Sequence, residues 1–314
     1  MIKRTLCFTN PAYLSLSNCQ MVVKMPEVES ADLPEAIKRE SVRTIPVEDI
    51  GVVVLDNKRV TITQGLLEAL LENNCAVITC DSKSMPVGLL LPLCGNTVQS
   101  ERFRHQLGAS LPLRKQLWQQ TVRAKVDNQA ALLRSATHAE VGCMRKWSAE
   151  VRSDDAGNIE ARAAAYYWKQ LFAEVPGLEG FTRDREGVPP NNLLNYGYAI
   201  LRTVVARALV SSGMLPTLGI HHHNRYNAYC LADDVMEPYR PFVDRLVLDL
   251  VKQRGASSCD TLSRELKMAL LSIPVTDVRI GGKRSPLMVA ASQTTASLYK
   301  CFSGETRLVS YPVL

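Results

Sequence analysis

No Cys-x-x-Cys pair occurs in the chain, although cysteines stand at positions 7, 19, 75, 80, 94, 143, 230, 259 and 301. Their odd number and irregular spacing argue against a zinc ribbon and a disulfide framework, and a reducing compartment is expected. Long apolar runs are also scarce. The longest, Pro86 to Cys94, carries Gly88 and falls far short of the roughly 20 residues that span a bilayer. Lys3 and Arg4 resemble the basic end of a signal peptide, but Thr9, Asn10 and Pro11 interrupt the apolar segment that should follow. The expectation is a cytoplasmic protein with no membrane partner. Gly281-Gly282-Lys283-Arg284-Ser285 lacks the first glycine of a phosphate-binding loop, and its lysine is followed by arginine. Without a G-x-G-x-x-G, an H-E-x-x-H or a G-x-S-x-G, dinucleotide-binding, zincin and α/β-hydrolase readings lose their support.

What is present suits an ordinary globular protein. The 314 residues are 46% hydrophobic and 22% charged, enough for about two domains, each with a core. The formal net charge is +6, and residues 101–170 hold 12 Lys and Arg against 7 Asp and Glu, so most of the excess lies there. Two readings stand: a solvated helical surface, or a face that binds phosphate.

Along the first ninety residues the pattern is one of short strands. Arg4 to Phe8, Tyr13 to Ser17 and Met21 to Lys24 are brief runs separated by turn residues. Ile50 to Leu55 is a continuous run rich in β-branched residues, and Arg59 to Thr63 alternates after Asp56-Asn57, which predicts a hairpin. Gln64 to Asn73 gathers Leu66, Leu67, Leu70 and Leu71 on one helical face, and Ala76 to Cys80 returns as a strand. After Pro92 long amphipathic segments take over: Arg102 to Leu107, Leu113 to Leu133, Ala139 to Val151, Ile159 to Phe172, Asn192 to Gly213, Phe242 to Gln253 and Asp260 to Leu271. Asn158 is the expected cap of the helix that begins at Ile159. The class is α+β, a strand-rich domain with one packed helix followed by a larger helical one.

Three histidines are consecutive, His221, His222 and His223, and Asp233-Asp234-Val235-Met236-Glu237-Pro238 follows a few residues later. On a helical turn Asp234 and Glu237 point the same way, so two carboxylates and an imidazole can meet, or the acids can simply cap a helix ahead of Pro238. Glu160 is a third acid, with small neighbours Ala161, Ala163 and Ala164 that permit close approach. A Glu, His, Glu/Asp set favours Mg²⁺ or Mn²⁺ over structural zinc and suits phosphoryl transfer.

Ile45 to Leu55, Asn158-Ile159-Glu160-Ala161-Arg162 with Tyr166-Tyr167-Trp168, Asn192 to Tyr198, Gly219-Ile220-His221-His222 and Leu231 to Pro241 occur in this order. In them the sequence resembles CRISPR-associated protein one, the spacer-acquisition integrase and endonuclease, most closely its type II subtype. The resemblance implies a β-sandwich-like dimerisation domain over residues 1–92 and an all-α catalytic domain over 93–314. It implies that Glu160, His222 and Glu237 hold the Mg²⁺ or Mn²⁺, with Asp234 assisting catalysis through metal-bound water or substrate positioning. His221 and His223 would contact phosphate or pack, and Arg240 would contact DNA or brace Glu237. The implied reaction joins 3′-hydroxyl ends of short DNA fragments to a CRISPR repeat by transesterification. The implied partners are double-stranded DNA (prespacer and repeat), a second copy of the chain, CRISPR-associated protein two, and the effector nuclease and accessory adaptation protein of type II systems. A DNA-repair nuclease and a non-catalytic DNA-binding scaffold are the alternatives. Alanine at Glu160, His222 or Glu237 is expected to abolish integration and leave the protein folded.

Overall fold

The computed structural model describes residues 3–32 and 34–314. The chain is a mixed α+β protein with two compact units, one ending at Gly95 and the other spanning Asn96–Leu314.

Eight strands of the first unit follow the short apolar runs: β1 (Arg4–Phe8), β2 (Ala12–Ser17), β3 (Gln20–Lys24), β4 (Arg43–Pro46), β5 (Ile50–Leu55), β6 (Val60–Ile62), β7 (Ala76–Cys80) and β8 (Pro86–Leu90). They form two four-stranded sheets, in the orders β1-β5-β7-β8 and β4-β3-β2-β6. Among the described residues three helices accompany them, α1 (Pro26–Glu29), α2 (Glu35–Ser41) and α3 (Gln64–Glu72), so the expectation of one helix is too low. Leu14, Met21, Ile50, Val53, Leu66, Leu70 and Val77, drawn from both sheets and α3, share one core.

The expected hairpin between Ile50–Leu55 and Arg59–Thr63 does not form. β5 pairs in parallel with β1 and β7, while β6 pairs in parallel with β2 in the other sheet. Residues 50–54 are all buried, as a strand covered on both faces requires. The Asp56-Asn57 turn is drawn toward β1 instead, because Asp56 N donates to the Phe8 carbonyl and Asn57 Nδ2 to that of Thr9. For the same reason β2 is an interior strand, paired on both sides.

In the second unit the helices are α4 (Gln99–Leu107), α5 (Leu111–Ala136), α6 (Gly142–Glu150), α7 (Ile159–Leu171), α8 (Asn191–Ser211), α9 (Cys230–Met236), α10 (Arg240–Arg254), α11 (Arg264–Leu270) and α12 (Leu287–Phe302). The unit is not all-α. β9 (Asp277–Ile280) and β10 (Lys283–Pro286) pair antiparallel across Gly281-Gly282, whose φ angles of +56° and +77° suit a tight hairpin turn. The glycine pair set aside as a phosphate loop is thus a turn.

Helix α5 organises this unit. Ser110 Oγ accepts a hydrogen bond from Leu113 N, and Pro112 occupies the first turn, which together fix the start of the helix. Its buried residues, among them Trp118, Val122, Lys125, Gln129 and Leu132, recur every three or four positions, and the helix packs on α6, α7 and α10. Among the described residues no helix is long and apolar enough to cross a membrane.

Candidate active site

Glu160 lies in the first turn of α7, and an aspartate, not the expected asparagine, caps that turn. Asn158 adopts a left-handed conformation, φ +50°, and makes no side-chain cap. Asp155 supplies the acceptors: Oδ1 takes the amide of Ile159 and Oδ2 that of Glu160, each at 2.9 Å. Both of its oxygens are used, so the start of α7 and the backbone of Glu160 are fixed together.

The histidine run is held from below by Asp234, whose side chain is fully buried in α9. Its Oδ2 accepts from His221 N at 2.9 Å and its Oδ1 from His222 N at 3.3 Å, and Oδ1 also contacts His222 Nδ1. The hydrogen bond to Asp234 raises the His222 pKa above the ordinary imidazole value despite partial burial, with Glu237 and Glu160 adding to the rise. With Nδ1 engaged, Nε2 is the nitrogen left for other work. Rings also position the run. His221 stacks on Trp118 with centroids 4.2 Å apart and planes 5° apart, and Trp118 meets His222 edge-on. His221 Nδ1 lies 3.4 Å from Asp154, which pairs with Lys115 at 3.2 Å. His223 is exposed.

Glu237 opens a single 3₁₀ turn, Glu237–Tyr239, between α9 and α10. Asn128 on α5 anchors that turn by donating to the Pro238 carbonyl at 2.7 Å. Arg240 Nε lies 2.8 Å from Glu237 Oε1, and its guanidinium stands over the Tyr198 ring. Lys125 Nζ lies 2.6 Å from Glu237 Oε2 and donates to Glu160 Oε1 at 2.6 Å. Burial alone would raise the Glu237 pKa, but Arg240 and Lys125 overcome it and hold it down at about 2. Burial likewise opposes the charge on Lys125, and the attraction of Glu237 and Glu160 outweighs it to leave the pKa raised.

A depressed carboxylate stabilises the fold fully above its unfolded pKa, and that stability is lost as pH falls toward the folded one. From about 4.5 down to about 2, Glu237 should therefore lose stability on the order of 3 kcal/mol. Urea unfolding at stepped pH checks this: Glu237→Gln should show a flatter acid limb than the wild type, and parallel limbs would refute it.

Of the expected residues, then, Glu160 and Glu237 converge on one positive charge, His222 is turned toward Asp234, and Asp234 acts as a brace inside the protein. Among the described residues no three of His, Cys, Asp and Glu form a ready-made metal-ligand group. The carboxylate pair nevertheless fits a cation. Glu237 Oε2 is buried and accepts no well-directed hydrogen bond, its contact with Lys125 being one of charge, and hard oxygen donors suit Mg²⁺ or Mn²⁺. Sequence reasoning missed Lys125, Trp118, Asn128 and Asp155. For Lys125 a signal existed: it lies on the Trp118, Val122, Gln129 stripe of α5, a cation on a face spaced for burial.

The family model for CRISPR associated protein Cas1 matches residues 6–272. The chain belongs to the Cas1 family. A curated relative, the CRISPR-associated endonuclease Cas1 of Neisseria meningitidis serogroup C, is 39% identical over 254 residues, 81% of this chain and 77% of the relative. Among solved structures, a casposase bound to its integration product superposes with a TM-score of 0.78 at 18% identity, covering 98% of this chain and 92% of that one. A Cas6-RT-Cas1–Cas2 complex gives a TM-score of 0.72 at 21% identity, covering 97% of this chain and 35% of that one. At these identities the two structures establish the Cas1 fold for the chain.

Proposed function

We propose that this protein is a metal-dependent DNA endonuclease and integrase of CRISPR adaptation, of the type II kind, that joins 3′-hydroxyl ends of short DNA fragments to a CRISPR repeat by transesterification. The observation that carries the reading is the convergence of Glu160 and Glu237 on a single cation, in a chain of the Cas1 family. In this reading Glu160, Glu237 and His222 hold the Mg²⁺ or Mn²⁺. The ion supplies Lewis-acid stabilisation of charge on the phosphate under attack. Asp234 keeps His222 oriented through Nδ1, leaving Nε2 for the metal, and Arg240 holds the second carboxylate in place.

The substrate is double-stranded DNA and the partner is Cas2, a reading supported by the similarity to a casposase bound to its integration product and to a Cas6-RT-Cas1–Cas2 complex. A homodimer formed through the first unit, and contact with a type II effector nuclease and accessory adaptation protein, belong to the same reading. A dimer contact through strand edges would fall to β1, β8, β4 or β6, the strands at the sheet ends.

Half-site integration into a repeat-bearing plasmid, with Cas2 present, tests the reading. Joined product that requires Mg²⁺ or Mn²⁺ is expected, and intact plasmid with active control enzyme would refute it. DNA binding should also fall steeply with salt, since Arg104, Arg123, Arg134, Arg145, Lys146 and Arg152 are exposed. Four phosphate contacts would cost roughly a hundredfold in affinity between about 50 and 200 mM salt. A flat titration would show that this basic surface does not track phosphates.

A further inference from the structure

We infer that Lys125 is a tethered counter-cation of the catalytic carboxylates, displaced when a divalent metal ion enters, so that this lysine sets the metal concentration at which the site loads. The inference rests on the metal reading of the site and adds a residue that the family motifs do not contain.

The geometry carries it. Lys125 Nζ is 2.6 Å from an oxygen of each carboxylate, and its side chain is only 11% exposed. Among the basic residues of positions 101–170 it alone is buried, pointing inward from α5 while the others reach or approach solvent. Its work there is to keep two neighbouring carboxylates from repelling each other. A divalent ion bound by Glu160 and Glu237 would compete for the same oxygens, and two like charges cannot share them at this range. One must leave, and the lysine has the means. Its stem is four flexible carbons, and it lines a cavity of about 200 Å³ together with Gln129, Trp168, Arg183, Tyr198 and Arg240. The ammonium can therefore swing off the carboxylates without α5 moving. Arg240 has no such freedom, because Glu237 Oε1 and the Tyr198 ring hold its guanidinium. Toward Glu237 the lysine's contact is one of charge, and the hydrogen bond it would give up on leaving is the one to Glu160.

Two measurements on the full chain test the displacement. The first is Mn²⁺ titration calorimetry on the wild type, Lys125→Met and Lys125→Arg. Lys125→Met removes the competitor and should bind Mn²⁺ about tenfold more tightly, about 1.4 kcal/mol, while Lys125→Arg should bind no more tightly than the wild type. The second uses the wild type alone, so it decides even if the methionine variant fails to fold. Amine-selective labelling of Lys125, read by peptide mass spectrometry, should rise on adding saturating Mn²⁺. Equal or weaker Mn²⁺ binding by folded Lys125→Met, or labelling unchanged when calorimetry shows the metal bound, would overturn the inference. Absence of Mn²⁺ binding by every form overturns something different, the metal site itself, and the displacement role goes with it.

Discussion

Glu160→Gln should leave the chain folded and remove DNA strand transfer. The Glu160 side chain is one-quarter exposed, and a glutamine can still accept the Lys125 hydrogen bond, so little stability is at stake. What is lost is one of two negative charges aimed at the cation site. Metal stabilisation of the transition state is worth several kcal/mol and each 1.36 kcal/mol is about tenfold in rate, so a fall of at least about a hundredfold is expected. Glu237→Ala should lose activity for two reasons at once. Glu237 is buried and faces both Lys125 and Arg240, and removing it takes the facing carboxylate from Arg240 and leaves the buried Lys125 with Glu160 alone, at a cost of about 3–5 kcal/mol. The sequence-based expectation that all three alanine variants stay folded is therefore revised for Glu237. Half-site integration beside thermal unfolding separates the cases: full activity in Glu160→Gln would sink the metal reading, and a wild-type melting curve for Glu237→Ala would sink the view of its ion cluster.

Features governed by local pattern were legible in the sequence. The apolar stripe of Leu113 to Leu133 lies within α5, and the run Ile50 to Leu55 is a fully covered strand because both rest on side-chain period. Pairing was not legible. β5 takes partners from Arg4–Phe8 and Ala76–Cys80, far off in the chain, and the nearby Arg59–Thr63 run offered a hairpin that local pattern cannot reject. The cap of α7 failed similarly, since Asn158 and Asp155 are both capping residue types and only the left-handed backbone at Asn158 decides between them.

The site divides along the same line. Spacing could bring Asp234, Glu237 and a histidine near one another, but it could not say that Asp234 grips the imidazole while Glu237 grips cations. Glu160 stood out as an acid beside small residues, and its definite place as a ligand came from the family resemblance. Lys125 escaped notice because its partners lie 35 residues away at Glu160 and beyond α9 at Glu237, a distance that no motif bridges. A buried cation on a helix is visible as an exception to the apolar stripe, yet its meaning appears only once the facing carboxylates are known.

Gly219→Ala should disable the site without touching any residue that bears chemistry. A methyl group at this position would press into the carbonyl oxygen of His222 and come within 2.8 Å of Asp234 Oδ2. Neither neighbour can yield cheaply. The amides of His221 and His222 are bound to Asp234, and that carboxylate is fully buried. Gly219, three residues before His222, is thus required by close approach, not by a left-handed backbone, and the strain of filling it passes straight to the imidazole. Overpacking of this kind costs about 1–3 kcal/mol. Loss of an orienting contact behind a metal ligand costs about 10- to 100-fold in metal affinity or activity. Gly65→Ala is the matched control, since nothing lies within 4 Å of a methyl group placed there. Thermal unfolding and Mn²⁺ titration of both variants check the claim: Gly219→Ala should melt earlier and bind the ion more weakly, Gly65→Ala should do neither, and a Gly219→Ala protein with wild-type metal affinity would show that His222 is not positioned through this turn.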